Sequence, residues 1–289
     1  MRNKLNKIAK DTNIFLKDFL NKQKNSKLIL AMKYGLFPGG KKIRSKILID
    51  IGSMMSIDYK TLIAIGAAVE CIHAYTLIHD DLPCMDDDKL RRGKPSTHIK
   101  FGESTAILAG NSLLTTAFEL LSDKNFKVDN KIKTNLINRL SRCSGQAGIA
   151  GGQYLDLSFE NKKVSLRKIL NMELKKTGKL FEFCCVAPLI IKNDKNKLNS
   201  FTKMGKEIGL LFQIVDDLID FKGSTKFAGK KTKKDTKKGK ATIISLLGYE
   251  NTVKYANNLK QNIYNKLNKH FNKADELIET INFIMERKK

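Results

Sequence analysis

The sequence predicts an all-α fold, a single large helical bundle over residues 1–289. Three observations predict it. Proline is scarce: Pro38, Pro83, Pro95 and Pro188 are the four in the chain, so long stretches lack the residue that breaks a helix interior. No clear alternating run of five or more residues marks a strand. Apolar residues recur instead at spacings of three and four, the period of a helix with one buried face. Forty-two per cent of residues are apolar, enough for a core of ordinary size. No fixed-period repeat and no Ser/Pro-rich linker divides the chain.

The elements follow in order. The first twenty residues are basic and amphipathic. Asp11, Asp18 and the lack of an Arg/Ser bias argue against a targeting peptide, and an ordinary first helix is expected. Pro38-Gly39-Gly40-Lys41-Lys42-Ile43-Arg44 reads as a loop and helix start, with Lys41 and Arg44 three apart on one helix face. The series Leu62, Ile65, Val69, Ile72, Leu77 predicts a long helix ending near Asp80. Its stretch from Leu62 to Ile72 is about half of the roughly 20 residues a membrane span needs, so no transmembrane segment is expected. Further helices follow from Ile132, Leu136, Ile137 and Leu140, and from Met204, Ile208, Leu211, Val215 and Leu218. The C-terminus adds Leu259, Ile263 and Leu267, then Leu277, Ile281 and Ile284. The count is ten or so helices.

Composition excludes some functions. Lys and Arg number 54 against 29 Asp and Glu, a net charge of +25. Only 8 of the 54 are Arg, and Asn occurs 23 times, so codon usage accounts for much of the excess. Proteins that read or stack on bases interleave Arg with aromatic residues. Here Trp is absent and the lysines are spread along the chain. Composition alone leaves nucleic acid, a membrane surface and phosphorylated metabolites open. It is the acidic clusters around Asp80 and Asp216 that lead to the expectation of no nucleic-acid partner. Five cysteines, Cys71, Cys84, Cys143, Cys184 and Cys185, show no C-x-x-C spacing. That pattern excludes a zinc ribbon and fits a reducing, cytoplasmic setting.

The chemistry is carried by local reversals of charge. Asp80, Asp81, Asp86, Asp87 and Asp88 crowd together in a basic protein, and Asp216, Asp217 and Asp220 form a second cluster. Like charges this close destabilise the chain unless a cation neutralises them. Each cluster ends an apolar helical run, which argues against a solvated face. An EF-hand is excluded, because its loop needs Gly at the sixth position and Glu at the twelfth. The pattern points to Mg²⁺, which takes one or two carboxylates and leaves room for phosphate oxygens. Asp216 and Asp220 share a helix face with Gln213 one turn earlier, and His73 lies two turns before Asp80. Facing helices would hold the ions between the two clusters. Arg91-Arg92-Gly93 follows the first cluster, and adjacent arginines diverge, so they can grip two phosphates. Lys176-Thr177-Gly178 is expected within a helix, after Gly151-Gly152-Gln153-x-x-Asp156. Nine of the nineteen residues from Lys222 to Lys240 are Lys, most of them solvated; Lys230 and Lys240 are candidates to close over a polyphosphate.

These motifs resemble those of the isoprenyl diphosphate synthases, and the likeness runs from about Leu30 to Arg287. The stretch Val69 to Asp88, followed by Arg91-Arg92-Gly93, is similar to the family's first aspartate-rich motif in its bacterial form. Phe212-Gln213-x-x-Asp216-Asp217-x-x-Asp220 resembles the second. The resemblance implies the isoprenoid synthase bundle with a central cavity, a homodimer, and Mg²⁺ as cofactor with Mn²⁺ as a substitute. It implies Asp80, Asp86 and Asp216 as metal ligands, assisted by Asp220. Arg91, Lys176, Thr177, Gln213, Lys230 and Lys240 would line the allylic diphosphate site. Lys41, Arg44, His73 and Arg92 would hold isopentenyl diphosphate. Ser45 stands where the family has proline, Lys233 where glycine is common and Ile244 where proline is common, and Lys89 interrupts the acidic run.

The implied reaction condenses isopentenyl diphosphate with dimethylallyl and geranyl diphosphate to (2E,6E)-farnesyl diphosphate. The growing chain would run along the helix that ends at Asp80. A helix rises about 5.4 Å per turn, roughly one isoprene unit. Tyr75 and Thr76, five and four residues before Asp80, would then form the floor that stops growth at fifteen carbons. A twenty-carbon product is the alternative. A terpene cyclase would carry Asn/Asp, Ser/Thr and Glu in the second motif and would lack the isopentenyl grip. A non-catalytic basic subunit would have lost aspartates. A binder of anionic surfaces would not need the acidic pairs.

Overall fold

The computed structural model describes residues 1–37, 39–226 and 242–287. The described residues form fourteen α-helices, one π-helical turn and one two-stranded ribbon, so the all-α expectation holds. Helices beyond the expected ten include the five-residue Thr97–Phe101 and Ile243–Leu247, too short to display a period. Contacts divide the chain into two compact units, Met1–Ile137 and Asn138–Lys289.

The first unit holds α1 (Arg2–Asn21), α2 (Lys27–Leu36), α3 (Ile43–Met54) and α4 (Tyr59–Asp80). After them come β1 (Leu90–Arg91), β2 (Lys94–Pro95), α5 (Thr97–Phe101), α6 (Glu103–Ser122) and the first part of α7 (Asn130–Ser144). α1 is the expected amphipathic helix and buries Leu5, Ile8, Leu16 and Leu20. α4 is the core helix of this unit. Asp58 caps it by accepting from the Thr61 N–H at 3.0 Å, and it is buried on nearly every face, against α3 and α6 above all. By length and composition alone α4 is apolar enough to cross a membrane, but 78% of that stretch is buried in the protein. The expectation rested on the shorter stretch Leu62 to Ile72; the helix as formed is 22 residues long.

The second unit holds the rest of α7, α8 (Ile149–Ser158) and α9 (Leu166–Glu173), then the π-turn Leu174–Gly178 and α10 (Lys179–Ile191). α11 (Lys195–Lys226), α12 (Ile243–Leu247), α13 (Tyr249–His270) and α14 (Asp275–Glu286) complete it. α10 and α11 pack antiparallel at backbone distance. Gly209 lies against Gly178 and Gly205 against Glu182, and a Cβ at either glycine would meet backbone atoms within 2.5 Å. Glu182, buried beside this seam, is held by Arg139 at 2.7 Å and Lys179 at 2.9 Å. Pro188 sits inside the last turn of α10. Ile244 is the second residue of α12, whose start is closed by a reciprocal Thr242–Ser245 capping box.

Candidate active site

α4 delivers the first acidic cluster. Asp80 is its last residue, and the loop after it folds back on the helix end. The Asp86 N–H donates to the Asp80 carbonyl at 2.8 Å, Asp87 to Leu82 at 3.0 Å and Asp88 to Asp81 at 3.2 Å. This brings Asp86 over Asp80, both half-buried. The loop takes Asp87 through the left-handed region, with φ 49°.

The five aspartates do not act as one group. Asp81 turns inward, is 2% exposed, and accepts from the Arg91 guanidinium, whose Nε lies 2.9 Å from Oδ1. Burial works against the charge of Arg91, but its hydrogen bond to Asp81 and the nearby Asp81 and Asp88 carboxylates prevail and raise its pKa. Arg92 leaves the ribbon the other way, with φ 54° in the turn, and donates to the Gly39 carbonyl. The adjacent arginines therefore diverge as expected.

The basic loop corrects one expectation. Lys41 and Arg44 do not share a helix face. α3 begins at Ile43, and Lys42 before it is in the left-handed conformation (φ 48°, ψ 42°), so Lys41 belongs to an exposed loop. The turn carries Arg44 back onto α4, where its guanidinium lies 3.4 Å from His73 Nε2. Burial, then the charges of Arg44, Arg92, Lys42 and Arg91, push the His73 pKa well below its usual value. The shift favours the neutral ring, and because a guanidinium only donates, Nε2 is placed as the acceptor toward Arg44. Lys42 and Arg91 each face a carboxylate, Glu70 and Asp81, so Arg44 and Arg92 supply the positive charge beside the imidazole, which suits a diphosphate.

Tyr75 is 9% exposed on α4 and meets the His79 ring edge-on at 5.7 Å. Burial and then the Asp80 charge raise its hydroxyl to about 12, so it stays a neutral, bulky wall. Thr76 spends its hydroxyl on the His73 carbonyl at 2.8 Å.

The second unit repeats the division of labour between paired aspartates. On α11, Asp217 is buried and accepts from Gln213 Nε2 at 3.0 Å, while Gln213 Oε1 accepts from Thr177 at 3.2 Å. Asp216 is half-buried and Asp220 exposed one turn further on. Lys176 lies 2.7 Å from Asp156 on α8, across a contact where Gly152 has no room for a side chain against the Lys176 backbone. Lys176 and Thr177 stand in the π-turn rather than in a regular helix, so the carbonyls here follow i→i+5 pairing. Lys230, Lys233 and Lys240 lie outside the described residues.

One residue was missed. Arg287, after α14, is buried at 4% side-chain exposure and pairs with Asp216 Oδ1 at 2.9 Å. It donates to the Phe212 carbonyl at 2.6 Å and stacks on the Phe212 ring at 3.7 Å. A single Arg in a basic tail gives no periodic or spacing signal. The inward turn of Asp81 and Asp217 was equally hidden within the clusters the sequence shows, although neighbours on a helix point about 100° apart.

Among the described residues, no three His, Cys, Asp or Glu side chains are placed to hold a metal by themselves. Asp80 with Asp86, and Asp216 with Asp220, are all-oxygen pairs. That donor set fits Mg²⁺, which completes its shell with water and phosphate oxygens.

The polyprenyl synthetase model matches residues 25–281. The chain belongs to that family. A farnesyl diphosphate synthase of Escherichia coli is 43% identical over 81% of this chain and 80% of its own length. Among solved structures, an FPP/GFPP synthase from Zymomonas mobilis superposes with a TM-score of 0.88 at 34% identity, over 98% of both chains. A Helicobacter pylori geranyltransferase, solved with magnesium and isoprenyl diphosphate, gives 0.80 at 32% identity, over 96% of this chain and 95% of its own. The fold is therefore that of the isoprenoid synthases. Ser45, one of the departures noted in the sequence, is fully buried and donates to Glu70 at 2.8 Å.

Proposed function

We propose that this protein is a Mg²⁺-dependent prenyltransferase that condenses isopentenyl diphosphate with dimethylallyl and then geranyl diphosphate. The product is (2E,6E)-farnesyl diphosphate, with diphosphate released. The observation that carries the reading is the repeated aspartate pair. In each cluster one carboxylate is turned inward onto Arg91 or Gln213, while its neighbour stays at the helix surface. Relatives called farnesyl diphosphate synthase support the product, and the whole chain reads as one catalytic domain.

Asp80, Asp86, Asp216 and Asp220 would hold Mg²⁺, which when bound supplies Lewis-acid stabilisation of the departing diphosphate. The magnesium in the Helicobacter pylori structure supports this cofactor. Arg91, Lys176, Thr177 and Gln213 orient the allylic diphosphate; Lys230 and Lys240 are proposed to join them. Lys41, Arg44, His73 and Arg92 hold isopentenyl diphosphate. The allylic C–O bond breaks and its electron pair leaves with the diphosphate. The carbonyls of the π-turn near Lys176 and Thr177, with the Gln213 amide oxygen, stabilise the resulting cation. The isopentenyl double bond attacks it to form the new C–C bond. The proton lost from the isopentenyl C2 goes to the released diphosphate. The reading requires a site closed to water, so that the cation is not quenched.

Tyr75 and Thr76 set the product length in this reading. We further propose a homodimer in the cytoplasm; five free cysteines support a reducing compartment. Product analysis with isopentenyl diphosphate and each allylic primer tests the assignment. Fifteen carbons are expected, and twenty would favour a geranylgeranyl synthase.

A further inference from the structure

Lys42 is a lysine held in the left-handed region, a conformation that a non-glycine residue adopts at a cost and keeps only where its surroundings enforce it. Its surroundings are unusual. The ammonium pairs with the Glu70 carboxylate at 3.3 Å, with side chains 8% and 4% exposed. The other oxygen of Glu70 accepts from Ser45 Oγ at 2.8 Å, and the Gly66 carbonyl, 3.2 Å from the same hydroxyl, is the alternative acceptor for its single proton. Glu70 lies one helical turn before His73, the residue that receives Arg44. The loop is thus pinned to α4 at two successive turns, and a third time where Arg92 donates to the Gly39 carbonyl.

We propose that Glu70 is a positioning residue for the isopentenyl diphosphate pocket: through Lys42 and Ser45 it holds the left-handed turn that sends Lys41 outward and Arg44 back to His73. The proposal rests on the reading of that pocket given above. It also separates two lysines that the sequence leaves equivalent. Lys42 neutralises Glu70 and contributes no net charge to the pocket, while Lys41 is exposed and is, in this reading, the lysine that meets the diphosphate. An unneutralised carboxylate at Glu70 would repel a diphosphate, so the pair serves both geometry and charge.

The test is steady-state kinetics with each substrate varied, for wild type, Glu70→Gln, Lys42→Met, Ser45→Ala and the double variant Lys42→Met/Glu70→Gln, with thermal unfolding alongside. Loss of a charge-assisted hydrogen bond predicts that Glu70→Gln raises KM for isopentenyl diphosphate about tenfold. The KM for geranyl diphosphate should stay within about twofold. Ser45→Ala keeps the ion pair and should move the isopentenyl KM in the same direction by less; it carries the test if Glu70→Gln does not fold. The double variant should be no worse than the worse single change, because both act through one pair. An unchanged or lowered isopentenyl KM, equal rises in both KM values, or additive single effects would overturn the proposal while leaving the enzyme assignment standing. A wild-type protein that makes no prenyl product would overturn both.

Discussion

The two carboxylates of each Asp-Asp pair have different work, and substitution separates them. Asp81 and Asp217 are buried acceptors, so Asp81→Ala leaves Arg91 with Asp88 at 3.7 Å and Asp217→Ala takes the acceptor from the Gln213 amide N–H. Each change should cost about 2 kcal/mol of stability, the order expected when a buried polar group loses its partner. Asp80→Ala should leave stability within about 1 kcal/mol and lower turnover by roughly a hundredfold or more, the scale set by removing one transition-state charge contact. Urea unfolding and turnover on the same variants check this; equal stability losses at Asp80 and Asp81 would erase the distinction. Asp216→Ala belongs to both classes, because it also leaves buried Arg287 without its carboxylate. His73 sets a pH dependence. Its folded pKa lies below the ordinary value of about 6.5, so below that pH the unfolded chain binds a proton that the folded one does not. Stability should fall as pH drops from 6.5 toward the folded pKa, by up to about 1.4 kcal/mol per pH unit. His73→Gln should flatten that slope, and denaturant unfolding between pH 7 and pH 5 is the measurement. An identical slope in the variant would assign the effect to other groups.

The helices were legible in the sequence because α4, α7, α11, α13 and α14 bury one face or all faces, and apolar spacing reports burial directly. What was hidden lies where single residues leave the period. The left-handed Lys42 could not be read, because lysine has no preference for that region and the Glu70 carboxylate enforcing it is 28 positions away. The π-turn at Lys176 leaves no mark in composition, since one extra residue in a turn keeps the same residue types. The site residues were legible as chemistry and not as pairings: Asp81, Arg91, Gln213 and Asp217 stand out in the sequence, but not that Asp81 turns inward to Arg91, Asp217 to Gln213, or that Asp216 meets Arg287. Tyr75 belongs to this scale, because its proposed role in product length rests on its position along α4, one turn and a half before Asp80. Tyr75→Ala should open space beside His79 and lengthen the product to twenty carbons or more. The check is the product distribution under excess isopentenyl diphosphate. An unchanged distribution would move the floor elsewhere.

At the scale of the whole molecule, a net charge of +25 means that any anion binds somewhere, and a test of the site must separate this background from recognition. The lysines spread over the chain attract sulfate and diphosphate alike, and salt screens that attraction. The acidic ends behave differently. Two carboxylates alone would hold Mg²⁺ weakly, with water in the other positions, and phosphate oxygens replacing that water would strengthen the hold. Mg²⁺ and diphosphate should therefore stabilise the fold together by more than the sum of their separate effects. At a ligand concentration about a hundredfold above Kd, linkage gives about 2.7 kcal/mol, or roughly 5 °C in Tm for a chain of this size. Thermal unfolding with Mg²⁺ alone, diphosphate alone and both, with sulfate at matched ionic strength as the control, measures it. The synergy should vanish in Asp80→Ala while the shift caused by sulfate is unchanged. Equal shifts from sulfate and from Mg²⁺ with diphosphate would mean that the lysines, and not the aspartate ends, bind the anion.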